Sequence, residues 1–127
     1  MPHVFEYALL RAVPRQDRGE FVNVGVLLYC ADRQFLRCKT HVDADRLLAL
    51  DPRIDLDLVQ SSLRLWCGSC DGSTNAPIAG TTLGQRFRWL TAPRSTLLQT
   101  SPTHTGLTED PEQQLDHLWR ALVLPPN

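Results

Sequence analysis

Residues 15–30 read RQDRGEFVNVGVLLYC, and they join two kinds of sequence at one point. The first half is charged and turn-prone. The second is a β-rich run interrupted by Asn23 and Gly25, residue types that strands disfavour. Alternate positions separate into Val22, Val24, Val26 and Leu28 on one side and Phe21, Asn23, Gly25, Leu27 and Tyr29 on the other. This spacing predicts a strand over 21–30 with one buried, valine-rich stripe and an opposite face that carries the amide and the glycine.

Toward the N-terminus, residues 4–13, VFEYALLRAV, alternate in the same way, with Phe5, Tyr7, Leu9 and Arg11 pointing opposite to Val4, Ala8, Leu10 and Ala12. Pro14 ends that run, and a polar turn through Asp17 and Gly19 makes the two strands a hairpin. Asp32 and Arg33 fall in the following turn, and Phe35 to His41 predicts a third strand, giving an antiparallel meander.

Beyond the meander the apolar period changes from two to 3.6. Asp43 is placed to cap a short helix through Leu50, stopped by Asp51-Pro52. Asp55 caps a longer one in which Leu56, Val59, Leu63 and Trp66 recur at helical spacing, with Gly68 at its expected end. Residues 68–81, GSCDGSTNAPIAGT, read as an exposed loop. Leu83, Arg86, Phe87 and Leu90 predict a third helix that Pro93 breaks; Thr96 to Thr100 predicts a fourth strand, and SPTHTG a loop. In DPEQQLDHLWRALV, Asp110 is an N-cap, Pro111 the first helical residue and Glu112 a favourable charge near the positive end of the dipole. Leu115, Leu118, Leu122 and Val123 share one face of that helix. The expected architecture is a single α+β domain over residues 1–127: a small antiparallel sheet of three or four strands, with three or four helices packed mainly on one face.

A chain of 127 residues can bury a sizeable core without disulfides or metal. With 43% hydrophobic and 21% charged residues it has the composition of a soluble globular protein, and no apolar run reaches membrane-spanning length. The opening MPHVFEYALLRAVPR carries Glu6 and Arg11 inside its apolar stretch, unlike a secretory signal, so the expected location is cytoplasmic. A net charge of −1 provides no long-range basic field, which disfavours non-specific nucleic-acid binding.

Five residues form the candidate binding site: Arg11, Arg18, Glu20, Asn23 and Gly25. Paired across the hairpin, Arg11 and Asn23 can be neighbours on one face, Arg18 and Glu20 lie at the adjoining strand end, and Gly25 would remove bulk so that a ligand or partner approaches closely. The purely structural alternative is an Arg18–Glu20 turn ion pair, an Asn23 bond to nearby backbone, and a Gly25 that relieves crowding. Cys67-Gly-Ser-Cys70 has zinc-knuckle spacing, and Cys30 and Cys38 could complete four thiolates. However, the spacing of Cys30 and Cys38 puts them on neighbouring strands rather than in a tight turn, so reduced thiols and no metal are expected. RFRWLTAPR, residues 86–94, could contact phosphates through Arg86, Arg88 and Arg94, but on a helix Phe87 is a core residue flanked by arginine stems. No phosphate-binding loop, dinucleotide fingerprint or hydrolytic triad is present, and no cofactor is expected.

The segment YALLRAVPRQDRGEFVNVGVLLY resembles the opening signature of the bacterial domain-of-unknown-function family 3037, through Arg11, Pro14, Arg18, Gly19, Glu20, Asn23, Val24, Gly25 and Val26. RWLTAPRSTLLQ and the stretch from Gly106 to Pro111 are also similar to that family, whose pattern does not include the cysteines. The family is uncharacterised; its genes often lie beside those of HipA-like kinases, which implies an accessory or regulatory role toward such a kinase. The leading expectation is therefore a non-catalytic interaction or regulatory module holding a partner segment or a small anionic ligand. The alternatives are an enzyme acting on a phosphate- or carboxylate-bearing substrate, with Glu20 as base and Arg11 or Arg18 steadying charge, and a nucleic-acid-binding module.

Overall fold

The computed structural model describes residues 1–71, 82–92 and 96–126. In chain order the elements are β1 (His3–Ala12), β2 (Val22–Cys30), β3 (Phe35–Thr40), α1 (Ala44–Leu50), α2 (Leu56–Asp71), α3 (Leu83–Leu90), β4 (Leu98–Thr100), β5 (His104–Thr108) and α4 (Pro111–Leu122). The fold is α+β, as the patterning implied. All strand pairings are antiparallel: β3, β2 and β1 form the meander, while the other side of β1 is shared by β5 along its first half and β4 along its second.

The sheet therefore has five strands rather than three or four. The additional one is β5, which takes in part of the expected loop SPTHTG. The five residues His104 to Thr108 have one large apolar side chain, Leu107, and a glycine, so they carry little strand signal of their own; pairing with His3 to Tyr7 of β1 organises them. A second difference lies in α2, which runs through Gly68 to Asp71 instead of ending at the glycine. Burial of Cys70 beside Phe87 and Leu90 in the last turn outweighs the cost of about 1 kcal/mol for a helical glycine. Residues 72–81 of the expected loop, and Pro93 as helix stop, lie outside the described residues.

Local signals fix the remaining helix ends. The Asp43 carboxylate accepts from Arg46 N at 3.2 Å to cap α1, and Asp55 accepts from Leu58 N at 3.0 Å in the first turn of α2. Thr82 and Gln85 form a reciprocal capping box at α3. Asp110 accepts from Glu112 N and Gln113 N ahead of Pro111, starting α4 where its sequence places it.

Both faces of the sheet are covered. Phe5, Val26, Leu28 and Cys30 pack under α4 against Leu115, Leu118 and Val123. On the opposite face Leu10, Ala12, Val22 and Val24 meet Leu47, Val59 and Leu63, and Leu27 and Leu36 meet Cys70, Phe87 and Leu90. Among the described residues, α1, α2 and α3 thus share one face and α4 covers the other.

A β-bulge in β2 divides what the sequence presents as one valine stripe. Leu10 of β1 is opposite Gly25, but Arg11 is opposite Asn23, so Val24 has no partner on β1. One extra residue reverses side-chain parity. Val26 and Leu28 consequently face α4, whereas Val22 and Val24 face α1 and α2. The expected single stripe is really two half-stripes on opposite faces.

Candidate functional site

The hairpin turn holds its charges in local pairs. Arg15 donates to Asp17 through Nε and Nη2, and Arg18 donates through Nε to Glu20 Oε1. The Arg15 hydrogen bond holds the Asp17 carboxyl below its ordinary range, and the Glu20 carboxylate raises the already high value of Arg18. Gly19 adopts φ +69°, a left-handed conformation that a side chain would strain and that lets Arg18 and Glu20 turn toward each other. These two residues form the turn ion pair of the structural alternative. Both are well exposed, so the pair adds little stability.

Past the turn, the bulge decides which side chains meet. Arg11 pairs with Asn23 on β2 and with Gln99 on β4, and directly paired residues of antiparallel strands point to the same face. The result is a polar row, Asn23–Arg11–Gln99, across three strands on the α4 side of the sheet. Asn23 Nδ2 donates to the Leu122 carbonyl at 3.2 Å, satisfying one of the carbonyls that a helix leaves open at its C-terminus. The Arg11 guanidinium lies 4.1 Å from the centre of the Phe21 ring, which is 42% exposed. Leu122, at 37% exposure, borders the row from the helix side.

Two atoms of this row are buried without a hydrogen-bond partner among the described residues: Arg11 Nε, a donor, and Asn23 Oδ1, an acceptor. Unpaired buried polar atoms are costly and rare, and two of opposite character on adjacent paired residues are a specific feature of this place. No carboxylate lies within ion-pair distance of Arg11 among the described residues.

Gly25 does not belong to this surface. A Cβ on it would lie 2.8 Å from Leu10 Cδ1 and 3.1 Å from the Lys39 carbonyl oxygen, on the side of the sheet that α1 and α2 cover. The bulge places it there, and its absent side chain accommodates Leu10 rather than an approaching ligand. Of the five expected site residues, the structure therefore brings Arg11 and Asn23 together, sets Arg18 and Glu20 as a pair in the adjoining turn, and sends Gly25 to the opposite face. Gln99 joins the row without any sequence signal, because only the β1–β4 register aligns it with Arg11.

Arg86 and Arg88 are engaged elsewhere. Arg88 forms a two-point contact with the Glu6 carboxylate at 2.9 and 3.0 Å and lies over the Phe87 ring, and Arg86 donates to the Cys70 carbonyl. Phe87 is fully buried, as helical spacing implied, and Arg94 lies outside the described residues.

The four cysteines separate by face. Cys30 packs under α4, whereas Cys38 of β3 approaches α2, where the Cys38 and Cys67 thiols share a hydrogen bond with their sulfurs 2.8 Å apart. A four-thiolate site would need Cys30 on the other side of the sheet. Among the described residues no group of three or more metal-ligating side chains is arranged to hold an ion. No described helix is long and apolar enough to cross a membrane.

No curated protein and no solved structure matches the chain. A family model described as "Protein of unknown function (DUF3037)" matches residues 7–123, a span that contains the hairpin from Tyr7 onward, the polar row and all of α4. By that match over almost its whole length, the chain belongs to the DUF3037 family.

Proposed function

We propose that this protein is a non-catalytic interaction or regulatory module, and that the Asn23–Arg11–Gln99 row, with Phe21 and Leu122 at its edges, holds a segment of a partner protein. The supporting observation is the pair of buried, unpartnered atoms, Arg11 Nε and Asn23 Oδ1. A carboxylate or a fully ionised phosphate ester can accept from the arginine but has no N–H or O–H to give the amide oxygen. A peptide group supplies both a carbonyl for Arg11 and an N–H for Asn23, so a polypeptide segment fits this donor–acceptor pair better than phosphate or a carboxylate does. Phe21 and Leu122 add exposed apolar surface, which suits a protein partner.

The neighbourhood implied by the family resemblance makes a HipA-like kinase the first partner to test. A tagged kinase co-expressed with this chain is expected to retain it, and Arg11→Met, which keeps the stem and removes the charged head, is expected to weaken retention at least tenfold, a loss of about 1.4 kcal/mol. Undiminished retention of a folded Arg11→Met variant would show that this surface does not hold the kinase. If the wild-type chain is not retained and leaves kinase activity unchanged, the kinase is not the partner.

A further inference from the structure

Cys38, Cys67 and Cys70 are not used by the polar row and lie on the other side of the sheet. With Arg37 they line a pocket of about 380 Å³ between β3 and the C-terminal turn of α2. Cys38 and Cys67 are half-buried at this pocket, and Cys70 is buried. The Cys38 and Cys67 sulfurs are 2.8 Å apart, so less than 1 Å of movement separates them from the length of about 2.05 Å of a covalent S–S bond. The two residues are 29 positions apart and belong to different elements.

We propose that Cys38 and Cys67 are a reversible oxidation site, closing a disulfide that ties strand β3 to the end of helix α2, with Cys70 as the alternate partner for Cys38. The oxidant class is a low-molecular-weight disulfide. Cys67, as its thiolate, attacks one sulfur of that reagent, expelling one small thiol and leaving a mixed disulfide on Cys67. Cys38 then gives up its proton to solvent and attacks the Cys67 sulfur, expelling the second small thiol. Two protein thiols and one small disulfide become one protein disulfide and two small thiols, so electrons and atoms balance.

The order of attack follows from the cluster. Hydrogen bonding with Cys67, then with Cys70, and then burial hold the Cys38 thiol well above its ordinary range, which makes it a poor first nucleophile. Once Cys67 carries the mixed disulfide it can no longer compete as a thiol with Cys38, and Cys38 ionises more readily. Cys30 is shielded on the other face and takes no part.

The test is exposure of the folded protein to oxidised glutathione, followed by native thiol counting and mass-spectrometric mapping of cross-linked peptides. The expected result is loss of two of the four thiols, a Cys38–Cys67 cross-link reversed by dithiothreitol, and a melting temperature raised by about 10 °C from closing this loop. Cys67→Ser is expected to move the cross-link to Cys38–Cys70, and Cys30→Ser to leave the wild-type pattern unchanged. Wild-type protein that keeps all four thiols, carries only glutathione adducts, or shows cross-links lacking Cys38 would overturn the proposal. Because the wild-type map decides, a variant that fails to fold does not protect the proposal.

Discussion

Strand β2 contains two regions built by opposite rules. From Val26 to Cys30 every side chain meets a helix: Val26, Leu28 and Cys30 lie under α4, and Leu27 and Tyr29 lie against α3 and the end of α2. From Val22 to Val24 only one face is apolar; the other carries Asn23, with Arg11 and Gln99 in line beside it. Helix α4 ends at Leu122, where its last carbonyl reaches Asn23 and no further. Under a helix polar groups would face only apolar side chains, whereas beyond the helix end Asn23 finds an open helix carbonyl to satisfy. The strand changes its rule at the bulge.

The comparison predicts unequal costs. Leu28→Ala, deep under α4, is expected to destabilise the fold by about 2–5 kcal/mol, measured by urea denaturation. A cost near zero would show that α4 does not hold the apolar region. At the junction, Gly25→Val would push a side chain into Leu10 Cδ1 and the Lys39 carbonyl, costing about 1–3 kcal/mol by overpacking. A Gly25→Val protein of unchanged stability that no longer binds a partner would put Gly25 on the polar face instead.

Asp110→Ala removes the cap of α4 and is expected to cost about 1 kcal/mol. Arg11→Met, in the polar region, is expected to change stability by no more than about 0.5 kcal/mol, because it deletes a buried atom that has no partner, while still weakening binding. A loss comparable to that of Leu28→Ala would make Arg11 a folding residue and remove it from the binding surface.

The smallest effect concerns Asp116, half-buried on the flank of α4 that faces Lys39 of β3. Hydrogen bonds from Lys39 and then Arg120 hold its carboxyl below the ordinary value of 3.8. A depressed folded-state value means that its stabilising contribution is complete above that ordinary value and is lost as pH falls from there through the folded value. Asp116→Asn should therefore flatten the acid limb of the stability profile slightly and leave neutral stability almost unchanged, since both side chains of the Lys39–Asp116 pair are more than a third accessible and screened by solvent. An equal acid limb in both proteins would remove Asp116 from the account.

The local parts of this protein are legible in the linear pattern: the hairpin from its alternation and Gly19 turn, the helices from Asp43, Asp55 and Asp110 and their apolar spacing, and the lack of a phosphate-loop or dinucleotide signature. Each of those depends on residues within a turn or two of one another, so a linear pattern records it. Long-range pairing sets which face each half of β2 presents, that Gln99 joins Arg11 while Gly25 leaves it, that residues 104–108 pair as a strand, and that Cys38 meets Cys67 but not Cys30. The physical reason is the two-residue period of a strand. One unpaired residue, Val24, reverses every side chain beyond it, and whether a residue goes unpaired is settled by its partner strand rather than by its neighbours in the chain.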